Sequence, residues 1–237
     1  MSESVSKNEA IGSFIDKWRA RWPEWAIAEV FVPREHRDPA VAWMALLQEL
    51  TDAAWGGSDP RPGEAKLGWW AEELHGWPRG IRRHPLGQVL QKFPVAWGQL
   101  AGSLSSLPGS RERPVDVEDA FAQLRGFAET VAVVEQALFG GSAPDAVGVV
   151  TLGLLHQRLA HHPGDAAPLQ VLAQAGEGTA IAEWTRQLAS RFSTRSGATQ
   201  PRRLLAALAQ ARLRRGEAVR PVPALPALWA TWRAARG

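Results

Sequence analysis

The sequence predicts an all-α protein, a single helical domain. Three observations lead there. Apolar residues recur at the i, i+3, i+4, i+7 spacing of a helix face over most of the chain. Strand-like runs are nearly absent, and the one candidate, Val30-Phe31-Val32, is short and runs into Pro33. The 22 glycines and 17 prolines fall between the periodic stretches as breaks and follow no fixed repeat.

The elements follow in order. Ile11, Phe14, Ile15 and Trp18 form the stripe of a first amphipathic helix. Asp38-Pro39 pairs an N-cap residue with a proline at the first helical position, so the next helix is expected over 38–55 and ends at Gly56-Gly57. Pro62 opens a helix over 61–76 that carries Leu67, Trp70 and Leu74. Shorter helices are expected after Pro85 and Pro94, and residues 103–114 read as a loop. Asp116 caps a helix over 117–139, with Leu124, Phe127, Val131 and Leu138 on one face and Gly140-Gly141 as its stop. A long apolar helix runs from Pro144 to about residue 160, and 180–192, 201–214 and 225–235 are also helical in pattern.

Composition narrows the function classes. Hydrophobic residues at 45% and charged residues at 22% rule out wholesale disorder. With no cysteine, disulfides, thiolate metal sites and cysteine nucleophiles are excluded. Met1–Ala10 is polar and lacks the apolar core of a signal peptide. No stretch approaches the roughly 20 apolar residues of a spanning helix, so a soluble, cytoplasmic protein is expected.

Charge is uneven. From Arg186 to Gly237 there are 11 arginines and one acid, Glu217, a balance of +10, which leaves −7 for residues 1–185 of the overall +3. The basic region 186–237 is expected to be helical and to belong to the same domain. Leu204, Leu205 and Leu208 are expected to dock one helix, with Arg202, Arg203, Arg212, Arg214 and Arg215 solvated and able to meet anionic lipid. No nucleic-acid-binding motif accompanies these arginines, so a nucleic-acid partner is not expected.

Motifs for nucleotide or zinc chemistry are missing: there is no P-loop, GxGxxG, HExxH or GxSxG in the right context. His161 and His162 are adjacent and point to different faces, a poor metal pair. Glu49 and Asp52, at i, i+3, share a helix face. Helical carboxylates of this kind bind magnesium, which in turn bridges to diphosphate oxygens.

Four blocks carry a family resemblance. They are Arg34-Glu35-His36-Arg37-Asp38-Pro39-Ala40, Glu49-Leu50-Thr51-Asp52-Ala53-Ala54-Trp55, Lys66-Leu67-Gly68-Trp69-Trp70-Ala71-Glu72-Glu73-Leu74 and His84-Pro85-Leu86-Gly87-Gln88-Val89-Leu90. Together they resemble the squalene/phytoene synthase family, and within it a divergent branch. The resemblance implies an isoprenoid-synthase-like helical bundle around an apolar cavity. It further implies condensation of two prenyl diphosphates with Mg2+ held by two aspartate-rich motifs.

This chain departs from that pattern at both motifs. The first reduces to Asp52, with Glu49 one turn earlier. Where the second belongs stands Leu154-Leu155-His156-Gln157-Arg158-Leu159-Ala160-His161, which has no carboxylate. The expectation is therefore a catalytically degenerate member that binds an isoprenoid-like ligand or a protein partner, with peripheral membrane contact. The alternative is an active, Mg2+-dependent prenyltransferase. Candidate metal ligands are Glu49 and Asp52, and Arg158 joins them on the diphosphate side. Trp43, Trp55 and Trp70 are candidate cavity-lining residues. Asp52→Asn is expected to leave folding and ligand binding largely intact.

Overall fold

The computed structural model describes residues 2–192 and 197–236, with residues 2–9 and 177 as backbone alone. Arg195 lies outside the described residues. The described residues form thirteen α-helices with short 3-10 turns and no strand. In chain order these are α1 (Ser2–Arg21), α2 (Trp25–Ala28), α3 (Arg34–Trp55), α4 (Arg61–Gly76), α5 (Gly87–Leu90), α6 (Trp97–Ser103) and α7 (Val117–Phe139). They continue as α8 (Ala143–His161), α9 (Pro163–Ala166), α10 (Leu169–Ala175), α11 (Glu177–Arg191), α12 (Gln200–Arg214) and α13 (Ala224–Ala235).

The centre of the body is α3. It is buried without a break from Pro39 to Thr51, the mark of a helix enclosed by others and not lying on the surface. Helices α1, α4 and α8 pack on it directly. α7 reaches it through a buried hydrogen bond from Trp43 Nε1 to Glu135 Oε1, 2.8 Å. α7 and α8 form a tight pair, joined through Gly140 and Gly141 at φ +79° and +93°, values that side-chain-bearing residues rarely adopt. Asp116 caps α7 as the sequence predicts, accepting from the Asp119 amide at 2.8 Å.

Some boundaries differ from the sequence reading. α3 begins at Arg34, after Pro33, and takes Pro39 inside it, so Asp38 is not its N-cap. The Glu35 carbonyl thereby loses its intrahelical donor, which a proline tolerates only near a helix start. Val30-Phe31 lie in a 3-10 turn with Val32 extended, so no strand forms there. Residues 103–114 contain two 3-10 turns in which Ser103, Ser106 and Ser110 hydroxyls donate to carbonyls three residues earlier. The short helices α2, α9 and α10 were not predicted, being too brief to show a period.

Three of the four sequence blocks, those containing Glu49, Lys66 and His84, meet in space. Lys66 on α4 reaches Glu49 on α3. Glu73, from the same block as Lys66, accepts from the backbone amides of Arg83 and His84 at 2.8 Å each and from Trp77 Nε1 at 3.0 Å. That buried carboxylate fixes the turn at which His84 packs against Trp70, ring centroids 4.4 Å apart. Gly63 brings α4 close to α3. A Cβ built there would lie 2.1 Å from the Ala53 carbonyl oxygen, so only glycine permits this approach.

Candidate functional site

Glu49 and Asp52 lie side by side one helical turn apart, as i, i+3 requires. Cations saturate both. Lys17 from α1 donates to Glu49 Oε1 at 2.6 Å and also lies 3.1 Å from Asp52 Oδ2, bridging the two carboxylates. Lys66 holds the other oxygen of Glu49 at 2.7 Å. Arg21 binds Asp52 with two guanidinium nitrogens, at 2.6 and 3.0 Å. His161 Nε2, at the C-terminal end of α8, lies 3.1 Å from Asp52 Oδ1.

Electrostatics follow from this arrangement. Burial opposes ionisation of Glu49, yet hydrogen bonds from Lys17 and Lys66 outweigh it and hold the carboxyl below the ordinary glutamate range. Burial likewise opposes ionisation of Asp52, and His161 and Arg21 together hold it far below the ordinary aspartate range. Three charged side chains, Lys17, Arg21 and Lys66, surround two carboxylates, so the cluster carries no surplus of negative charge to attract a divalent ion. Among the described residues no group of three or more histidine, aspartate or glutamate side chains converges in metal-holding geometry.

The other sequence candidates sit elsewhere. Arg158 is buried and committed to structure. It donates to the carbonyls of Arg111 and Glu112 and to Gln123 Oε1, tying the segment before α7 to α8. Burial lowers its pKa to about 10, and no diphosphate can reach it without opening the fold. Trp43, Trp55 and Trp70 are each fully buried. Trp43 donates to Glu135, and Trp55 Nε1 donates to Ser110 Oγ at 2.9 Å. Trp70 meets Trp69 edge-on at 5.1 Å. The three rings face packed protein.

Expectation and structure part most clearly over the C-terminal arginines. Arg202 and Arg212 are buried in ion pairs and not solvated. Arg202 Nε lies 3.0 Å from both oxygens of the fully buried Glu135. Arg212 clamps Glu24 with contacts of 2.7 and 2.8 Å and lies over the Trp22 ring at 3.9 Å. A carboxylate partner offsets much of the cost of burying a guanidinium, and Glu135 and Glu24 supply it here. Arg203 donates to the Ala198 and Ala234 carbonyls, while Arg214 and Arg215 are exposed as expected. None of these pairings was legible beforehand; they span up to 188 residues.

Two cavities deserve description. A small one of about 60 Å3 lies between Arg21, Trp22, Thr51, His156, His161 and Val219. His156 is buried there, and the Gln157 side-chain oxygen Oε1 has no hydrogen-bond partner. Burial first, and Arg212 second, push the His156 pKa down to about 3, so the ring is neutral at ordinary pH. A groove of about 350 Å3 runs between α12 and α13. Its floor is apolar, from Val149, Ala206, Ala207 and Ala230, and Arg214, Arg215 and Arg233 border it. Groove volumes of about 300–1,000 Å3 suit small organic ligands.

No single described helix is long and apolar enough to cross a membrane. In comparison with known proteins, the chain matches no family model and no curated protein, so what it does rests on its own residues.

Proposed function

We propose that the protein is a catalytically degenerate squalene/phytoene-synthase-like protein, built on an isoprenoid-synthase-like bundle, that binds an anionic isoprenoid-like ligand. The observation that carries this reading is the saturation of Glu49 and Asp52 by Lys17, Lys66, Arg21 and His161. Ionising a prenyl diphosphate requires metal ions to neutralise the departing diphosphate. Here ammonium and guanidinium groups take the carboxylates that would hold those ions. The contact between the resembling blocks, Lys66 on Glu49 and Glu73 on the His84 turn, supports the family part of the reading.

On this reading the ligand binds in the groove between α12 and α13. An apolar floor takes a hydrocarbon chain, and the exposed guanidinium groups of Arg214 and Arg215 take an anionic head. Two measurements test the proposal. Purified protein incubated with farnesyl diphosphate and magnesium should release no pyrophosphate. Equilibrium binding of farnesyl diphosphate should exceed that of farnesol and of pyrophosphate, and should weaken in Arg214→Ala/Arg215→Ala. Pyrophosphate release that vanishes in Asp52→Asn would overturn the degenerate reading and establish the prenyltransferase.

A further inference from the structure

Helix α13 packs with its small residues inward and its large apolar residues outward. Ala227, Thr231 and Ala234 are buried against the body. Leu225, Leu228 and Trp229 are 79%, 43% and 59% exposed. Trp232, half-buried, stacks on Trp229 with ring centroids 5.1 Å apart. Positions 225, 228, 229 and 232 form one continuous stripe along the helix. Most amphipathic helices do the reverse, since burying large side chains is what docks them.

Arginines lie beside this stripe, and Glu217 is the one acid of residues 214–236. Arg214, Arg215, Arg220, Arg233 and Arg236 are exposed, and α13 itself contains no acid. The Arg236 guanidinium lies 4.0 Å from the Trp232 ring centroid. The rest of the chain is acidic, −7 over residues 1–185. A negatively charged surface therefore attracts the α13 side of the molecule and repels the remainder, which sets an orientation as well as an affinity.

We infer that α13 docks the protein on anionic lipid bilayers, lying in the plane of the interface. Leucine and tryptophan enter the headgroup–acyl boundary, and the arginines meet lipid phosphates. At 12 residues the helix is about 18 Å long, which suits an interfacial helix and not a spanning one. A second copy of the chain is a poor occupant. A two-fold contact through this face would set the same arginines against themselves with only Glu217 to offset them.

Vesicle co-sedimentation tests the inference. Phosphatidylcholine vesicles with and without phosphatidylglycerol are compared at low and high salt, with no isoprenoid present. Each arginine near an anionic surface contributes about 1 kcal/mol, so binding to the anionic vesicles should be at least roughly tenfold stronger and should fall with salt. Leu225→Ser/Leu228→Ser and Arg220→Glu/Arg236→Glu should each abolish it while the circular dichroism spectrum is unchanged. None of these four residues lines the α12–α13 groove, so farnesyl diphosphate binding should survive in both variants. Equal binding to neutral and anionic vesicles would overturn the inference. So would binding unaffected by the charge reversal, or failure to bind any vesicle.

Discussion

Lys17 Nζ lies 2.6 Å from Glu49 Oε1, so an ammonium already occupies the carboxylate that metal chemistry on α3 would need. Lys66 holds the other oxygen. Two of the four lysines in the chain thus converge on one side chain, in a protein that otherwise uses arginine. Magnesium should leave the melting temperature of the wild-type protein unchanged. Lys17→Ala/Lys66→Ala frees Glu49, and a magnesium-dependent rise in melting temperature should appear in that variant alone. An equal rise in the wild type would show that the carboxylates are open to metal.

Asp52 is more structural than its spacing suggests. Asp52→Asn keeps the shape but removes the charge that faces Arg21, Lys17 and His161. Charge-assisted hydrogen bonds contribute about 1.5–3 kcal/mol, and a loss of this order is expected in urea unfolding. From the sequence alone, Asp52→Asn is expected to leave folding largely intact; the contacts of Asp52 predict this measurable loss.

The Glu135–Arg202 pair is one of two fully buried ion pairs among the described residues, with Glu24–Arg212. Glu135 also accepts from Trp43, so truncation strands both donors in the core. Breaking a buried pair from one side costs about 3–5 kcal/mol. Glu135→Ala should therefore lower stability by that order, and Glu135→Ala/Arg202→Ala should cost less than the sum of the two single changes in a double-mutant cycle.

Gly63 has no room for a side chain against the Ala53 carbonyl. Gly63→Ala must push α4 away from α3, at a cost of about 1–3 kcal/mol for overpacking. The same displacement draws Lys66 from Glu49, so stability should fall even though alanine is the better helix former. Gly68→Ala on the same helix meets nothing within 4 Å and should be neutral or stabilising.

Acid should weaken the protein before the carboxylates titrate. Burial pushes His84 down to about 4 and His156 down to about 3, against an ordinary value of 6.5. The unfolded chain therefore takes up protons first as pH falls, and stability declines from about pH 6.5 until the folded rings titrate. Glu49, Asp52 and Glu73, whose folded values are lowered, add their loss only at lower pH, below the ordinary carboxylate values. Melting temperatures between pH 7 and pH 5 should fall, and His84→Leu/His156→Leu should flatten that part of the profile. A flat profile in the wild type would mean that the two rings are not held neutral.

The sequence by itself determined the long helices, though not the short α2, α9 and α10. Asp116 as the cap of α7, Gly140-Gly141 as its stop, and the stripes through Trp70 and Leu74 or through Leu204 and Leu208 are local, because capping, glycine conformation and a 3.6-residue period act within a few residues. It also placed Glu49 and Asp52 on one face. Tertiary structure alone decided what meets them. Lys17, Arg21 and His161 arrive from 32, 31 and more than 100 residues away, and nothing local marks an ammonium as the partner of a given carboxylate. It likewise sent Arg202 and Arg212 inward to Glu135 and Glu24 while leaving Leu225 and Trp229 outside. Charge and hydropathy fix only a residue's preference for water. Which preference yields is set by how closely two helices can approach, and at α13 the small residues Ala227 and Ala234 take the inward face.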